Sequence, residues 1–362
     1  MKNHIIIYNR IFSSVLILLM IGCESLDQGA DGAITSEAYY TTENTLDAGV
    51  TGIYSNLQKA TKYPIMFASY TGADDLTSRL GSNKAVVLEG DQFALTGGNS
   101  WTYSVYTSYY KTILSCNSFL EDAHPEEIDK VFLNNSLANA HFVRAITYFR
   151  LVTSYGSVPM PLTTKTDLTI PLTPKREIMS QIIKDLEYAN LWLVNDRDVD
   201  PTVANNKASK TAAKAFLAKT YMQLTGWPYN ETEHWAKVKT LTKEIIDAGI
   251  YSLVDDYAYN FQRDYQDNKE IIFVHGNKRE AYPIKTQNNW YGYVWGKWMD
   301  FYMEWTYYNN FPEGYRKDFC AIADNTNPHF NSFGHPVVTK FEYGTITGLP
   351  SYENGVINPT DL

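Results

Sequence analysis

Residues 138–161, ANAHFVRAITYFRLVTSYGSVPMP, read as a helix without a proper wet face. Ala138, Phe142, Ala145, Phe149 and Val152 form one stripe at spacings of four and three. His141, Arg144, Tyr148, Leu151 and Tyr155 form a second that is also largely apolar or amphipathic. A helix on the surface of a globular protein needs one such stripe. Two stripes place this helix between neighbours. A guanidinium on such a helix must be paired or must reach water, so Arg144 is expected in a structural ion pair rather than at a ligand. Asn117, inside LSCNSFL, reads similarly as a buried amide that needs partners.

The neighbours are visible in the same way. Leu46, Val50, Ile53 or Tyr54, and Leu57 recur at helical spacing over 44–60, and helical character returns from Trp101 to Leu120. Thr173-Pro174 reads as a helix start, a capping hydroxyl followed by Pro at the first helical position. Ile178, Ile182, Leu186, Ala189 and Leu193 form the stripe that follows. Residues 209–226 give another helix, with Ala212, Ala215 and Ala218 allowing close approach and Gly226 as its stop. A further one runs from Trp235 to Ala248 and ends at Gly249. Helices of this length with short connections form antiparallel pairs, and stacked pairs bury two sides of each inner helix. The expectation is a mainly α fold with a tetratricopeptide-like helical scaffold. No strict 34-residue sequence repeat accompanies it.

The remainder has a different texture. Residues 70–100 are Gly-rich without a sustained period, and KEIIFVHG (269–276) is strand-like. Residues 282–308 are dense in aromatics. Trp298, Phe301 or Tyr302, and Trp305 fall at helical spacing and read as a packed stripe. Trp290, Tyr291, Tyr293 and Trp295 are interleaved with Gly292 and Gly296 and follow Gln287, Asn288 and Asn289, which favours a loop. Rings on a loop offer flat apolar faces to a ligand beside hydrogen-bonding amides. A loop folded back on the core, or an edge strand, is the competing reading. Asp74, Asp75 and Arg79, in the irregular 70–100 stretch, are further candidates for bonding ligand hydroxyls, against the reading of a solvated charged loop.

Aromatic residues make up 14% of the chain, including 28 Tyr and 8 Trp. Net charge is −9, with no Lys/Arg run, which disfavours a nucleic-acid partner. Lys2 and Arg10 precede the short apolar run IFSSVLILLMIG and then Cys23. That order is a secretion signal, too short to span a bilayer. The Gly22-Cys23 junction marks a lipoprotein signal over 1–22, with Cys23 as the lipidation site and 23–34 as a tether; an ordinary signal with an incidental Cys is the alternative. Cys116 and Cys320 make no disulfide framework and read as buried free thiols.

Several catalytic and metal patterns fail. Asp196, Asp198 and Asp200 alternate, but Pro201 and Lys207 stand where a calcium loop needs Gly and Glu. The seven His are scattered without a zinc spacing. No nucleophile elbow, P-loop or dinucleotide motif is present, and a glycosidase pair cannot be argued from spacing alone. The expectation is a chain with no metal and no cofactor.

GCESLDQ, YYKTILSCNSFL (109–120), the 138–161 segment, SQIIKDLEYA, KASKTAAKAFLAKTYM, IIDAGIYSLV and NKEIIFV, in this order, resemble the SusD/RagB family of outer-membrane nutrient-binding lipoproteins from the Bacteroidetes. The resemblance runs from residue 23 to 341. It implies a SusD-like domain over 35–362, an N-terminal part to about 210 and a RagB/SusD-type part from about 211. It implies a tetratricopeptide-like scaffold carrying an irregular, aromatic-rich ligand-binding subdomain, with Trp101 as scaffold. It also implies a non-catalytic, lipid-anchored protein on the outer membrane facing the exterior. Such a protein captures oligosaccharides for a SusC-like TonB-dependent transporter; a secreted hydrolase on a helical scaffold and a peptide-binding member of the family are the alternatives. After Lys340 the expected Arg-x-Ala-Glu-like run does not occur. A helical segment is thus expected to be absent and an apolar face left open, which would make the chain marginally stable.

Overall fold

The structure is a computed structural model that describes residues 39–61, 72–78, 85–195, 207–261, 265, 268–274, 301–323 and 334–339, with backbone only at 352–353 and 356–357. Cys23, Arg79, Trp290, Tyr291, Tyr293, Trp295, Trp298, Asp196, Asp198 and Asp200 lie outside the described residues. The elements below belong to one compact unit, Tyr40–Leu362.

Six helices build the scaffold: α1 (Glu43–Ala60), α3 (Ser100–Asp122), α4 (Lys130–Tyr155), α5 (Lys175–Trp192), α6 (Lys210–Thr225) and α7 (Trp235–Asp247); α2 (Ala85–Asp91) is short and is held at the start of α3, where Asn99 Nδ2 donates to Val86 O and to Glu89. From α3 onward each scaffold helix packs on the next, while α1 lies against both α3 and α4. The sequential stacking is tetratricopeptide-like, and the fold is mainly α. Helix α4 is the inner member, touching α1, α3, α5 and α6. Both of its stripes are covered: Phe142, Ala145, Tyr148, Leu151 and Val152 are buried, and His141 and Tyr155 are half-buried.

Local chemistry sets the ends of these helices. Thr42 and Thr45 form a capping box at α1, each side-chain oxygen accepting from the other's backbone N–H at 3.1–3.2 Å. Asn99 Oδ1 accepts from Trp101 N and Thr102 N at α3, and Asp129 Oδ1 from Val131 N and Phe132 N at α4. Ser209 Oγ accepts from Ala212 N at α6. Helix α5 starts one residue later than the sequence predicts. Pro174 is itself the cap, with no side-chain cap bond, because Thr173 is held in a bridge in which its N–H donates to Val158 O at 2.9 Å. Gly226 follows α6 in an extended conformation, whereas Gly249, beyond α7, takes φ +62°, the left-handed turn that favours glycine.

Two close approaches tighten the stack. A Cβ at Gly49 would lie 2.6–2.8 Å from the rings of Tyr40 and Phe119, so only glycine lets Phe119 of α3 reach the α1 backbone. The Tyr54 hydroxyl donates to Asn139 Oδ1 and accepts from Ala208 N, both at 2.8 Å, joining α1, α4 and the entry to α6. Helix α7 buries only Val238 fully.

Beyond α7 the chain is irregular. Residues 269–274 do not form the expected strand. Lys269 O accepts from Ser252 N, Glu270 carboxylate accepts from Val254 N, and Glu270 N donates to Asn268 Oδ1. No described strand pairs with the run, which packs instead through Ile272 and Phe273 on the helical core. Of the expected helical stripe at 298–305, the described residues from 301 onward are not one helix. Phe301 and Tyr302 are buried, as expected, but on strand β2 (Phe301–Met303), and Trp305 begins the short helix α8 (Trp305–Asn310) and is half-buried. Strand β1 (Leu76–Ser78) pairs antiparallel with β2, Thr77 opposite Tyr302. Helix α9 (Tyr315–Cys320) leads into β3 (Ala321–Ile322), which pairs with β4 (Val337–Val338); β5 (Tyr352–Glu353) pairs with β6 (Val356–Ile357). Val87, Phe301, Met303, Ala321 and Val338 form a small second core, on which Trp101 of α3 packs while half-buried. Cys116 and Cys320 are buried free thiols.

Candidate functional site

The polar residues of the two-sided helix belong to the scaffold. Arg144 donates from Nε and Nη2 to the two oxygens of Asp185 on α5 at 2.9 and 2.8 Å, and from Nη1 to Asn117 Oδ1 on α3 at 2.9 Å. Asn117 in turn donates to Pro161 O and Thr163 O. His141 Nδ1 lies 2.7 Å from Asp185 Oδ1. Burial alone would raise the Asp185 pKa, but the bonds from Arg144 and His141 outweigh it and hold the carboxyl below its ordinary value. Burial likewise opposes charge on Arg144, and Asp185 more than restores it. Burial pushes the Cys116 thiol pKa up, away from nucleophilic chemistry. Every polar arm of Arg144 is thus spent on helix–helix contacts, which leaves none for a ligand.

The small second core builds a different surface. Pairing of β1 with β2 brings Asp74 and Asp75 to the start of α8, where Glu304 N donates to Asp75 O at 3.0 Å. Trp305 Nε1 donates to Gly334 O at 2.7 Å, and Met303 N donates to Pro336 O at 2.9 Å. These bonds fix the 74–75, 304–305 and 334–336 backbones to one another. Trp305 and Tyr308 meet edge to face at 5.9 Å, and Tyr307 stands beside Phe311 at 5.5 Å. Asp74 is exposed and Asp75 half-buried; the Asp75 Oδ1 atom is buried and has no hydrogen-bond partner among the described residues.

The rim continues through the 85–99 region. Asp91 Oδ2 accepts from Ser78 N, Ser78 Oγ and Thr77 Oγ1, which locks β1 onto the end of α2. Just beyond, Phe93 stands 82% exposed at φ +54°, its ring edge over Gly72, where a Cβ would lie 3.3 Å from Phe93 Cε1. The resulting surface has aromatic faces at Phe93, Trp305 and Tyr307 and carboxylates at Asp74 and Asp75. The nearby cation Lys317 is already committed, to Glu313 at 2.5 Å and to the face of Tyr308. Acceptors beside flat apolar rings suit a neutral, hydroxyl-rich ligand better than an anionic one.

Of the sequence candidates, the described structure therefore places Asp74 and Asp75 together on this surface. Phe93 and the surface role of Trp305 and Tyr307 were not legible locally; the Gly97-Gly98 context near Phe93 is the only composition signal for an exposed ring there. Among the described residues one group has metal-ligand proximity, Glu231, Glu233 and His234, but both oxygens of Glu231 already accept from Arg176.

Comparison with known proteins bears on family and fold. The profile of the SusD-like family described as "Starch-binding associating with outer membrane" matches residues 24–222. SusD-like protein P25 of Formosa agariphila is 26% identical over 280 residues, 74% of this chain and 51% of that protein. SusD-like protein P2 of the same organism is 27% identical over 219 residues, 58% and 41% respectively. The chain thus spans about half the length of these curated relatives or less. Among solved structures, a SusD superfamily protein from Parabacteroides distasonis superposes with a TM-score of 0.71 at 18% identity, covering 84% of this chain and 70% of the other. NanU of B. fragilis gives 0.69 at 18% identity, covering 86% and 69%. The family match covers more than half of the chain and takes in the helices from α1 into α6; the chain belongs to the SusD-like family.

Proposed function

We propose that this protein is a non-catalytic carbohydrate-binding lipoprotein of the cell surface. In this reading Cys23 carries the lipid, the tether leads to the scaffold, and the protein passes captured oligosaccharides to a SusC-like TonB-dependent transporter in the outer membrane. No described helix is long and apolar enough to cross a membrane, which is compatible with a lipid anchor. The observation that carries the reading is the family match over 24–222. Two structural neighbours have fitting roles in their names: a laminarin-binding SusD-like protein, at a TM-score of 0.52, and surface glycan-binding protein A of Bacteroides fluxus, at 0.67.

The binding surface in this reading is the β1–α8 rim. Asp74 and Asp75 accept from sugar hydroxyls, and Trp290, Tyr291, Tyr293 and Trp295, in the segment that leads toward β2, supply stacking faces with Arg79 as a further donor. Native affinity electrophoresis of the mature chain in gels containing laminarin, starch or mucin glycans tests the reading. Retardation by at least one polymer, with no reducing ends released on incubation, is expected. Release of reducing ends would replace it with a hydrolase on a helical scaffold, and migration unaffected by every polymer would remove carbohydrate from the account.

A further inference from the structure

The α6–α7 turn, residues 226–234, and the first residue of α7 carry two exposed indoles. Trp227 is 82% exposed and Trp235, at the first position of α7, is 51% exposed. The turn beneath them is tightly braced. Tyr229 N and Asn230 N both donate to Gly226 O at 3.0 and 2.9 Å, and Glu231 N donates to Leu224 O at 2.9 Å. Arg176 reaches across from α5 to bond both oxygens of Glu231, and His234 Nε2 lies 2.9 Å from the same carboxylate. Aromatic side chains on a backbone fixed from both ends lose little conformational freedom when something binds them.

We propose that this turn is a second carbohydrate contact, separate from the β1–α8 rim, at which Trp227 and Trp235 stack on sugar rings and Asn230 and Glu233 bond their hydroxyls. The proposal rests on the carbohydrate-binding reading above. Its chemistry follows from what surrounds the indoles. Asn230, Thr232, Glu233, Lys237 and Lys239 are exposed, with Met222, Pro228 and Ala236 as the apolar neighbours, so the rings stand on a mostly polar surface. A protein partner's docking core would instead present a contiguous apolar patch. An anionic membrane would call for a cluster of basic residues; here Glu231 and Glu233 stand close together, and the Lys237 ammonium lies over the Tyr221 ring at 4.5 Å. A neutral sugar chain, apolar on its C–H faces and hydroxylated at its edges, matches single rings set among amide and carboxylate groups. Two contact points on one chain then favour long polymers, because the second contact forms at high effective concentration once the first is made.

The test compares wild type with Trp227→Ala/Trp235→Ala in affinity electrophoresis against the polymer that retards wild type most, and in calorimetry against a four-sugar fragment of that polymer. The double variant is expected to lose about fivefold or more in apparent affinity for the polymer while fragment binding stays unchanged, the pattern of a lost second contact. If thermal melting shows the double variant unfolded, Glu233→Ala, which touches none of the turn's braces, is measured by the same criterion. Equal retention of wild type and a folded variant overturns the proposal and leaves the carbohydrate reading standing. Wild-type migration unaffected by any polymer overturns both. A variant that keeps its polymer affinity but no longer sediments with phosphatidylglycerol vesicles, or no longer co-purifies with the transporter, assigns the turn to a membrane or a protein and overturns the carbohydrate contact.

Discussion

At the scale of single residues, Arg144 and Asp185 show why a charged side chain on an apolar stripe need not be a functional signal. The pair is buried, doubly hydrogen-bonded, and tied through Asn117 to the loop at 161–163. Removing one partner strands the other, so Asp185→Ala is expected to cost about 3–5 kcal/mol in chemical denaturation. The pair also predicts a pH dependence. The Asp185 pKa is lower in the folded chain than in the unfolded chain, so its contribution is complete above the unfolded value of about 3.9 and is lost as pH falls through the folded value. Wild type should therefore lose stability below about pH 4 more steeply than Asp185→Asn. Superimposable acid profiles would show that the pair is not coupled to folding. The need for a partner was legible in the sequence because Arg144 falls on the second stripe of α4. The partner's identity was not, since Asp185 sits 41 positions away on another helix.

At the scale of elements, periodicity found α1 and α3 to α6 because each buries a stripe that repeats within its own sequence. It failed where the partner is remote. Spacings of three and four among Trp298, Phe301 and Trp305 suit a helix, yet Phe301–Met303 is a strand because Leu76–Ser78, more than two hundred positions earlier, supplies its hydrogen bonds. The apolar run at 269–274 failed in the opposite sense: its polar groups are met by turns and by the Asn268 and Glu270 side chains, so no ladder forms. Close helix contact was equally silent. Gly49 looks like a weak point in α1, yet it is where Phe119 meets the backbone. Gly49→Val is accordingly expected to destabilise the fold by about 1–3 kcal/mol, measured by urea denaturation, although valine would raise local hydrophobicity. A stabilised variant would show that α1 and α3 can separate freely.

At the scale of the whole molecule, a polar-capped helical stack holds a small second core, and that core sets the acidic and aromatic rim. The family resemblance made the architecture legible; the rim's geometry was not, because β1, α8 and the 334–336 segment meet only in three dimensions. The lipoprotein reading belongs to this scale as well. Cys23→Ser is expected to move the protein from the membrane pellet to the soluble fraction without changing its melting temperature, since each buried lipid methylene contributes about 0.8 kcal/mol of anchoring and none of the fold. Retention of the variant in the pellet would point to another anchor.

The measurement closest to the central claim is isothermal titration of the mature chain with the oligosaccharide it retains best, repeated for Asp74→Ala, Trp290→Ala and Trp295→Ala. Binding by wild type, weakened about tenfold by each Trp variant and by a smaller factor in Asp74→Ala, with unchanged far-UV spectra and melting temperatures, is the expected result; about tenfold corresponds to the 1–2 kcal/mol typical of an aromatic anchor. Wild-type affinity in all three variants, or a loss of binding that follows a loss of folding, would contradict the claim that carbohydrate is held through Asp74, Trp290 and Trp295.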